Sequence, residues 1–429
     1  MCNVKDKRLL VLGGGGLSCE IIREAKALGV NVVVTDYLMD SPGKSIADKS
    51  FDISVSDINN VVNLIKKEHI DGVITGFADS ILTFYREICE AASLPCYAGS
   101  EQLDIATNKA VFKRLCRVHD VPVVKEYPIH NPITSNDLKA IRFPVLVKPV
   151  DNSGSRGIYI CRNENELIDG CKKALAFSAS GRIIAEEYMS ENEVTIYYVA
   201  KDGELHLAAM ADRYTTSQGE SILPVPSAYI FPSKHLRAYQ SSLDGKVKKM
   251  FKSKDFKNGI LFIQSFVKNG QCVFYEMGYR LTGSLDYKII KKISGVNPME
   301  LLITYALTGS MGSSDLEGLL NPNFKSFGCN ITFSVRPGKI GSIKGLEVIR
   351  AMPEVLDVVN THEPGEEVSA AAAGTLMQVV SRVFATADSV EKLAEAMERI
   401  TTAFKVYSDD GKEMLVEVFD SSQLFHKEE

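Results

Sequence analysis

The sequence has no C-x-x-C pair, no surplus of basic residues and no apolar stretch of membrane-spanning length. Its nine cysteines stand singly and their number is odd. That pattern excludes a disulfide framework and a zinc ribbon, and predicts buried free thiols in a reducing compartment. A formal net charge of -5 offers no basic footprint, so no nucleic-acid partner is expected. The short apolar run Leu9 to Leu12 ends in four glycines, which predicts neither a secretory signal nor a membrane span. A cytoplasmic protein with no membrane partner is therefore the expectation. What is present is ample: 429 residues with a 45% apolar share, enough for about three packed domains.

The first hundred residues alternate strand and helix. Arg8 to Leu12 reads as a buried strand, Gly13 to Gly16 turns the chain, and Ile21, Ile22, Ala25 and Leu28 form a helical stripe ended by Gly29. Val30 to Val34 resumes as strand, and a helix (Val61 to Lys67) and a strand (Gly72 to Thr75) follow, giving a doubly wound parallel pattern. Asp36 stands where a dinucleotide-binding fold would contact a ribose, but Gly-Gly-Gly-Gly-Leu-Ser lacks the third glycine of G-x-G-x-x-G. A plain tight turn is the reading that the residues themselves favour for this glycine run.

Beyond residue 107 the rhythm changes. Asn108 can cap a helix striped by Val111, Phe112, Leu115 and Val118, which puts Lys109 in its first turn. A strand over Phe143 to Val147 leads to Lys148 and the loop Asn152-Ser153-Gly154-Ser155-Arg156-Gly157, followed by a strand over Gly157 to Cys161. Backbone N–H groups of such a loop can converge on phosphate oxygens, with Lys148 adding a point charge. Asn163 and Glu166 form a capping pair for the next helix. In the strand Arg182 to Met189, neighbouring Glu186 and Glu187 must face opposite sides. Two hairpins turn at Asp202-Gly203 and Asn269-Gly270. At the second, a two-residue turn would pair Gln264 with Tyr275. A three-residue loop, Lys268-Asn269-Gly270 with a bulge, would instead put Gln264 and Glu276 on one face.

In order and spacing, Lys109, Lys148, the Ser/Gly loop, Glu186-Glu187, Glu276 and Arg280 resemble the ATP-grasp superfamily, and most of all its L-amino-acid and carboxylate-amine ligases. The resemblance implies an α/β and α+β protein in three parts: a pre-ATP-grasp domain (1–106), an ATP-grasp domain (107–308, with a lid at about 140–190), and a C-terminal α+β domain (309–429). It implies ATP contacts at Lys109, Lys148, Ser153, Gly154, Ser155, Arg156, Gly157, Glu186, Glu187, Tyr188 and Met189, with Glu187 favoured at the purine edge and Glu193 at the ribose. Magnesium, or manganese in its place, would be held by Glu276 and Gln264. Substrate contacts fall on Arg280, Ser284, Arg336, Gly14 and Gly15, with Arg280 and Lys148 catalytic. Arg336 could fork onto a substrate carboxylate, and Asp212-Arg213 is a comparable candidate.

The chain departs from the family pattern at two places. Gln264 stands where the first metal glutamate is expected, and Gly278 where the asparagine of Glu-x-Asn-x-Arg is expected. Further on, Gly338 to Gly345 and an Ala-rich helix over Ala370 to Val383 resemble the closing domain of the carboxylate-amine ligases. The implied activity is amide formation from a small carboxylate and an amine through an acyl phosphate, releasing ADP and phosphate, with a homodimer compatible. Glycinamide ribonucleotide synthetase, biotin carboxylase and carbamoyl phosphate synthetase are alternatives within the superfamily. A non-catalytic ATP-binding regulator is the alternative outside it.

Overall fold

A computed structural model describes residues 3–130, 133–151, 157–190, 192–216 and 225–425. The N-terminal part is a four-stranded parallel sheet in the order Lys49–Phe51, Asn31–Thr35, Arg8–Leu12, Gly72–Ile74. Its inner strands are uninterrupted Val and Leu because helices cover both faces. One covering helix, Pro298–Thr308, comes from beyond the central part. It sits so close to the edge strand that a Cβ on Gly72 would lie 2.1 Å from the Ala306 carbonyl oxygen.

A small antiparallel sheet follows, in the order Glu126–Tyr127, Ile183–Glu187, Val145–Pro149, Tyr159–Cys161. The helix Glu164–Leu175 packs on it through Leu167, Cys171 and Ala174. Asn163 caps that helix by accepting from Glu166 N, and Glu166 Oε2 accepts from Arg162 N.

The remaining frame is an eight-stranded antiparallel sheet. Its order is Gln271–Gly278, Gly259–Lys268, Asn192–Lys201, Glu204–Thr216, Val225–Phe231, Phe327–Ser334, Val379–Ala387, Val355–Asn360. The ladder continues past residue 308 without a break. A three-stranded sheet, Glu367–Val368, Gly338–Lys344 and Lys405–Ser408, closes the far end.

Two local expectations need correction. The Ala-rich stretch is not a helix: Ala370–Ala372 and Leu376–Gln378 are single 3-10 turns, and Val379–Ala387 is a strand paired on both sides. Gly374 at φ +72° interrupts any helix, and Gln378 takes over its polar work, accepting from Gly374 N (2.6 Å) and donating to the Val335 carbonyl (2.9 Å). β-branched Val379, Val380 and Val383 then suit the sheet. The Asn269-Gly270 connection is a two-residue turn, with both residues left-handed (φ +51° and +73°) and Lys268 paired with Gln271. The bulge lies within the strands instead, where Tyr275 is the extra residue, so Gln264 still pairs directly with Glu276.

The eight described cysteines are all free. No described helix is long and apolar enough to cross a membrane.

Candidate active site

A cavity of about 360 Å³ lies between the small sheet and one face of the large one. From the small sheet, Lys148 and the run Glu186 to Ser190 line it; from the large sheet come Glu193, Arg213, Tyr229, Gln264, Glu276 and the segment Arg280 to Ser284. The size suits a nucleotide or a drug-sized ligand.

At the small-sheet wall, Glu186 is 3% exposed and sits between two lysines. Lys113 bonds one carboxylate oxygen and Lys148 the other, the latter at 2.7 Å. Burial alone would raise the Glu186 carboxyl, but the two ammonium groups outweigh it and hold it below the usual carboxylate range. Lys148 is thereby fixed with its charge at the cavity wall, 5.8 Å from the centroid of the Tyr275 ring. Glu187 points the other way, 3.0 Å from Lys268 Nζ. Tyr188 and Met189 continue the wall. Gly157 adopts φ +75°, where a Cβ would sit 2.7 Å from Phe177 Cβ. Ser153, Gly154, Ser155 and Arg156 lie outside the described residues.

On the large sheet, register decides which groups meet. Gln264 pairs with Glu276 on one side and Thr195 on the other, so all three share the cavity face. Lys109, the first residue of the helix Lys109–Val118, is capped in place by Asn108 and reaches to 3.4 Å from Glu276 Oε1. Glu193 takes an ion pair from Arg213 and a hydrogen bond from the Tyr275 hydroxyl at 2.8 Å. Asp212, next to Arg213, faces the opposite side and binds Ser233 and Lys234 N. Among the described residues no three acidic, histidine or cysteine side chains cluster as a metal cage. The oxygen donors present are one carboxylate and one amide, hard ligands of the kind magnesium accepts when phosphates complete the shell.

Arg280 marks the other end. Its Nε donates to Asp79 Oδ1 at 2.7 Å and its Nη2 to Asp79 Oδ2, a bidentate fork onto the first residue of the helix Asp79–Ala92. Burial works against the guanidinium charge, but Asp79, joined at longer range by Glu276, more than restores it. The guanidinium also lies 5.0 Å from the centroid of the Phe262 ring. That ring accounts for Gly278: the two residues pair directly, and a Cβ at 278 would be 2.3 Å from the ring. An asparagine there would collide with Phe262, which accounts for the glycine at this position.

Ser284 donates to Asp286, a fully buried carboxylate that also receives Tyr197, Thr282 and Asn330. Gly14 N donates to Asp36 Oδ2 at 2.6 Å, and Leu38 N to Asp36 Oδ1 at 2.9 Å. Asp36 thus closes its own turn, which argues against a ribose contact. Gly14 and Gly15 do not line the cavity, although Leu17 approaches to 3.4 Å from where a Cβ of Gly283 would stand. Arg336 is outside the site. It is exposed, and its Nη1 donates to the Leu415 carbonyl at 2.7 Å, because the neighbouring Val335 bridges to Leu415. The C-terminal residue that does line the cavity is Leu376.

Residues 141–286 match the ATP-grasp domain family. That segment is an ATP-grasp domain. The ATP-grasp match begins just before the strand carrying Lys148 and ends at Asp286, so it covers the cavity walls on both sheets. Over 195 residues the chain is 29% identical to a formate-dependent phosphoribosylglycinamide formyltransferase of Sulfurisphaera tokodaii, spanning 44% of this chain and about half (49%) of that protein. Among solved structures, an L-amino acid ligase from Bacillus licheniformis has the same fold at TM-score 0.78 and 20% identity, covering 94% of this chain and 99% of that one. The biotin carboxylase domain of Hydrogenobacter thermophilus 2-oxoglutarate carboxylase, solved with MgADP and bicarbonate, follows the fold at TM-score 0.75 and 18% identity, covering 95% and 91%.

Four residues that organise this cavity were not legible as site residues in the sequence: Lys113, Asp79, Phe262 and Asp286. Asp79 had a signal, since it follows the C-terminal end of a parallel strand, where doubly wound sheets place their ligands.

Proposed function

We propose that this chain is an ATP-dependent ligase that joins a carboxylate to an amine through an acyl phosphate, releasing ADP and phosphate. The observation that carries it is one cavity lined by Lys148, by Lys109 against Glu276 with Gln264 paired beside it, and by an Asp79-clamped Arg280. A substrate carboxylate oxygen attacks the γ-phosphorus in line, and the bond to the bridging oxygen breaks as ADP leaves. The lysines neutralise phosphate charge, and Glu276 with Gln264 would hold magnesium, which supplies further neutralisation when bound. The amine nitrogen then attacks the acyl carbon. Arg280 stabilises the oxyanion as phosphate departs, and the amine proton leaves with it. Glu193 would meet the ribose and the Glu187 to Met189 run the adenine.

A second reading follows from the sequence relatives: the carboxylate would be formate and the amine a phosphoribosyl glycinamide. A screen of carboxylate and amine pairs for ADP release, with mass spectrometry of the products, tests both. Formate with that amine is one well of the screen. Absence of substrate-dependent ADP release across a broad panel would favour a regulator that binds ATP without turning it over.

Lys148 gives the first quantitative check. Losing its charge-assisted phosphate contact should cost roughly 1.5–3 kcal/mol, so Lys148→Ala should bind ATP about ten- to a hundredfold more weakly. Glu186 keeps Lys113 in that variant, so the wall should survive. Equal affinity by calorimetry would remove Lys148 from the phosphate site.

A further inference from the structure

The cavity face of the large sheet continues beyond Tyr229. Arg213 pairs with Tyr229, Tyr229 with Asn330, and, two residues along, Thr332 pairs with Arg382. Residues paired across strands or two apart along one share a face, so Arg382 belongs to the same polar strip as Glu193 and Arg213. Its neighbours confirm the sidedness: Phe384 packs toward the nucleotide-binding core, whereas Val383 and Ala385 enter the core on the opposite face.

Arg382 is an unusual residue to bury there. It is 3% exposed, its one hydrogen bond among the described residues runs from Nη1 to Thr332 Oγ1 (2.6 Å), and its Nε is buried without a partner. Among the described residues no carboxylate forms an ion pair or hydrogen bond with it. The carboxylate whose charge acts on it, Asp286, is already committed to Tyr197, Thr282, Ser284 and Asn330. Beside it, Asn330 uses both of its N–H donors on Ser284 O and Asp286, while its buried Oδ1 has no partner. A buried guanidinium without a counter-ion is costly, and fixed planar donors suit an anion that arrives from outside.

We propose that Arg382, with Thr332, forms an anion pocket on the same sheet face, beyond the lining residue Tyr229, selecting a substrate that carries a second anionic group, carboxylate or phosphate, away from its reacting centre. This rests on the ligase reading for the word substrate, but not for the binding itself. Arg382 touches that distal group only, so it sets specificity and takes no part in bond making.

The test is calorimetric, on the full chain saturated with magnesium and an ATP analogue whose β–γ bridge cannot be cleaved. The probes are matched pairs, succinate against succinamate and phosphoethanolamine against ethanolamine, so that the two arms separate carboxylate from phosphate. The wild type should bind the doubly anionic or phosphorylated member of at least one pair about tenfold or more tightly, in keeping with one charged hydrogen-bonding contact. Arg382→Gln should erase that difference, keep its affinity for the ATP analogue, and melt at the same temperature as the wild type or higher, since the one bond lost, to Thr332, is offset by removal of a buried charge that has no counter-ion. A wild type that does not discriminate, or an Arg382→Gln that still does, would overturn the proposal. Should Arg382→Gln fail to fold, Arg382→Met carries the test, and loss of fold in both assigns Arg382 to the scaffold. Discrimination without ADP release in the substrate screen would sink the ligase reading and leave the pocket standing. Turnover without discrimination would do the reverse.

Discussion

Arg280→Ala is expected to lower kcat for ADP release by roughly 10²- to 10³-fold, the usual loss when one oxyanion donor is removed. ATP affinity should change far less, because Lys148 and Lys109 remain. The expectation comes from a guanidinium that is 11% exposed, forked onto Asp79 and adjoining the Thr282 to Ser284 loop. Arg280→Lys should recover little, since one ammonium cannot make the bidentate contact that sets the geometry. Asp79→Asn keeps the arginine but loosens its aim, so it should fall between the two. Single-turnover kinetics on the pair found in the substrate screen would measure all three. A kcat for Arg280→Ala within twofold of wild type would place the oxyanion stabiliser elsewhere.

Glu276→Gln should raise the magnesium concentration for half-maximal turnover by about 10- to 100-fold, the range seen when groups supporting a bound metal are lost. It removes the carboxylate paired with Gln264 and also releases Lys109 from its 3.4 Å partner. Gln264→Glu should act in the opposite direction, lowering the magnesium requirement, because a charged oxygen would replace an amide directly across the ladder from Glu276. The two titrations together separate a metal ligand from a strand residue that only packs nearby. If Gln264→Glu leaves the magnesium dependence unchanged while Glu276→Gln abolishes turnover, the site uses a single protein carboxylate.

The parallel N-terminal sheet was readable because its strands are near-continuous Val, Ile and Leu between helical stripes, and the two hairpins because Asp-Gly and Asn-Gly favour tight turns. Lys109, Lys148, Glu186, Glu276 and Arg280 could be named in advance, and the fold brings them around one cavity. What failed was whatever depends on contacts distant in sequence. Ala370 to Val383 carries helical composition, yet the strands Phe327–Ser334 and Val355–Asn360 claim Val379 onward. Arg336 has the right chemistry for a substrate carboxylate but is taken by the Leu415 carbonyl. The pairing of Gln264 with Glu276 was anticipated through a longer turn, whereas a single inserted tyrosine within the strand achieves it. Glu186 was expected among the ATP contacts, with Glu187 favoured at the purine edge, and only the packing of a helix from 73 residues earlier reveals Glu186 as the counter-ion of Lys113.

The unbroken eight-stranded ladder has an implication for how such a chain can be divided. Val225–Phe231, buried at every position, receives Phe327–Ser334 as its neighbour. A chain ending near residue 308 would leave that strand with bare amide and carbonyl groups along an apolar edge, the kind of surface that templates self-association. The terminal third is therefore no detachable cap. Any exchange of substrate-selecting segments between relatives would have to be made at turns, leaving every strand from Asn192 to Ala387 in register.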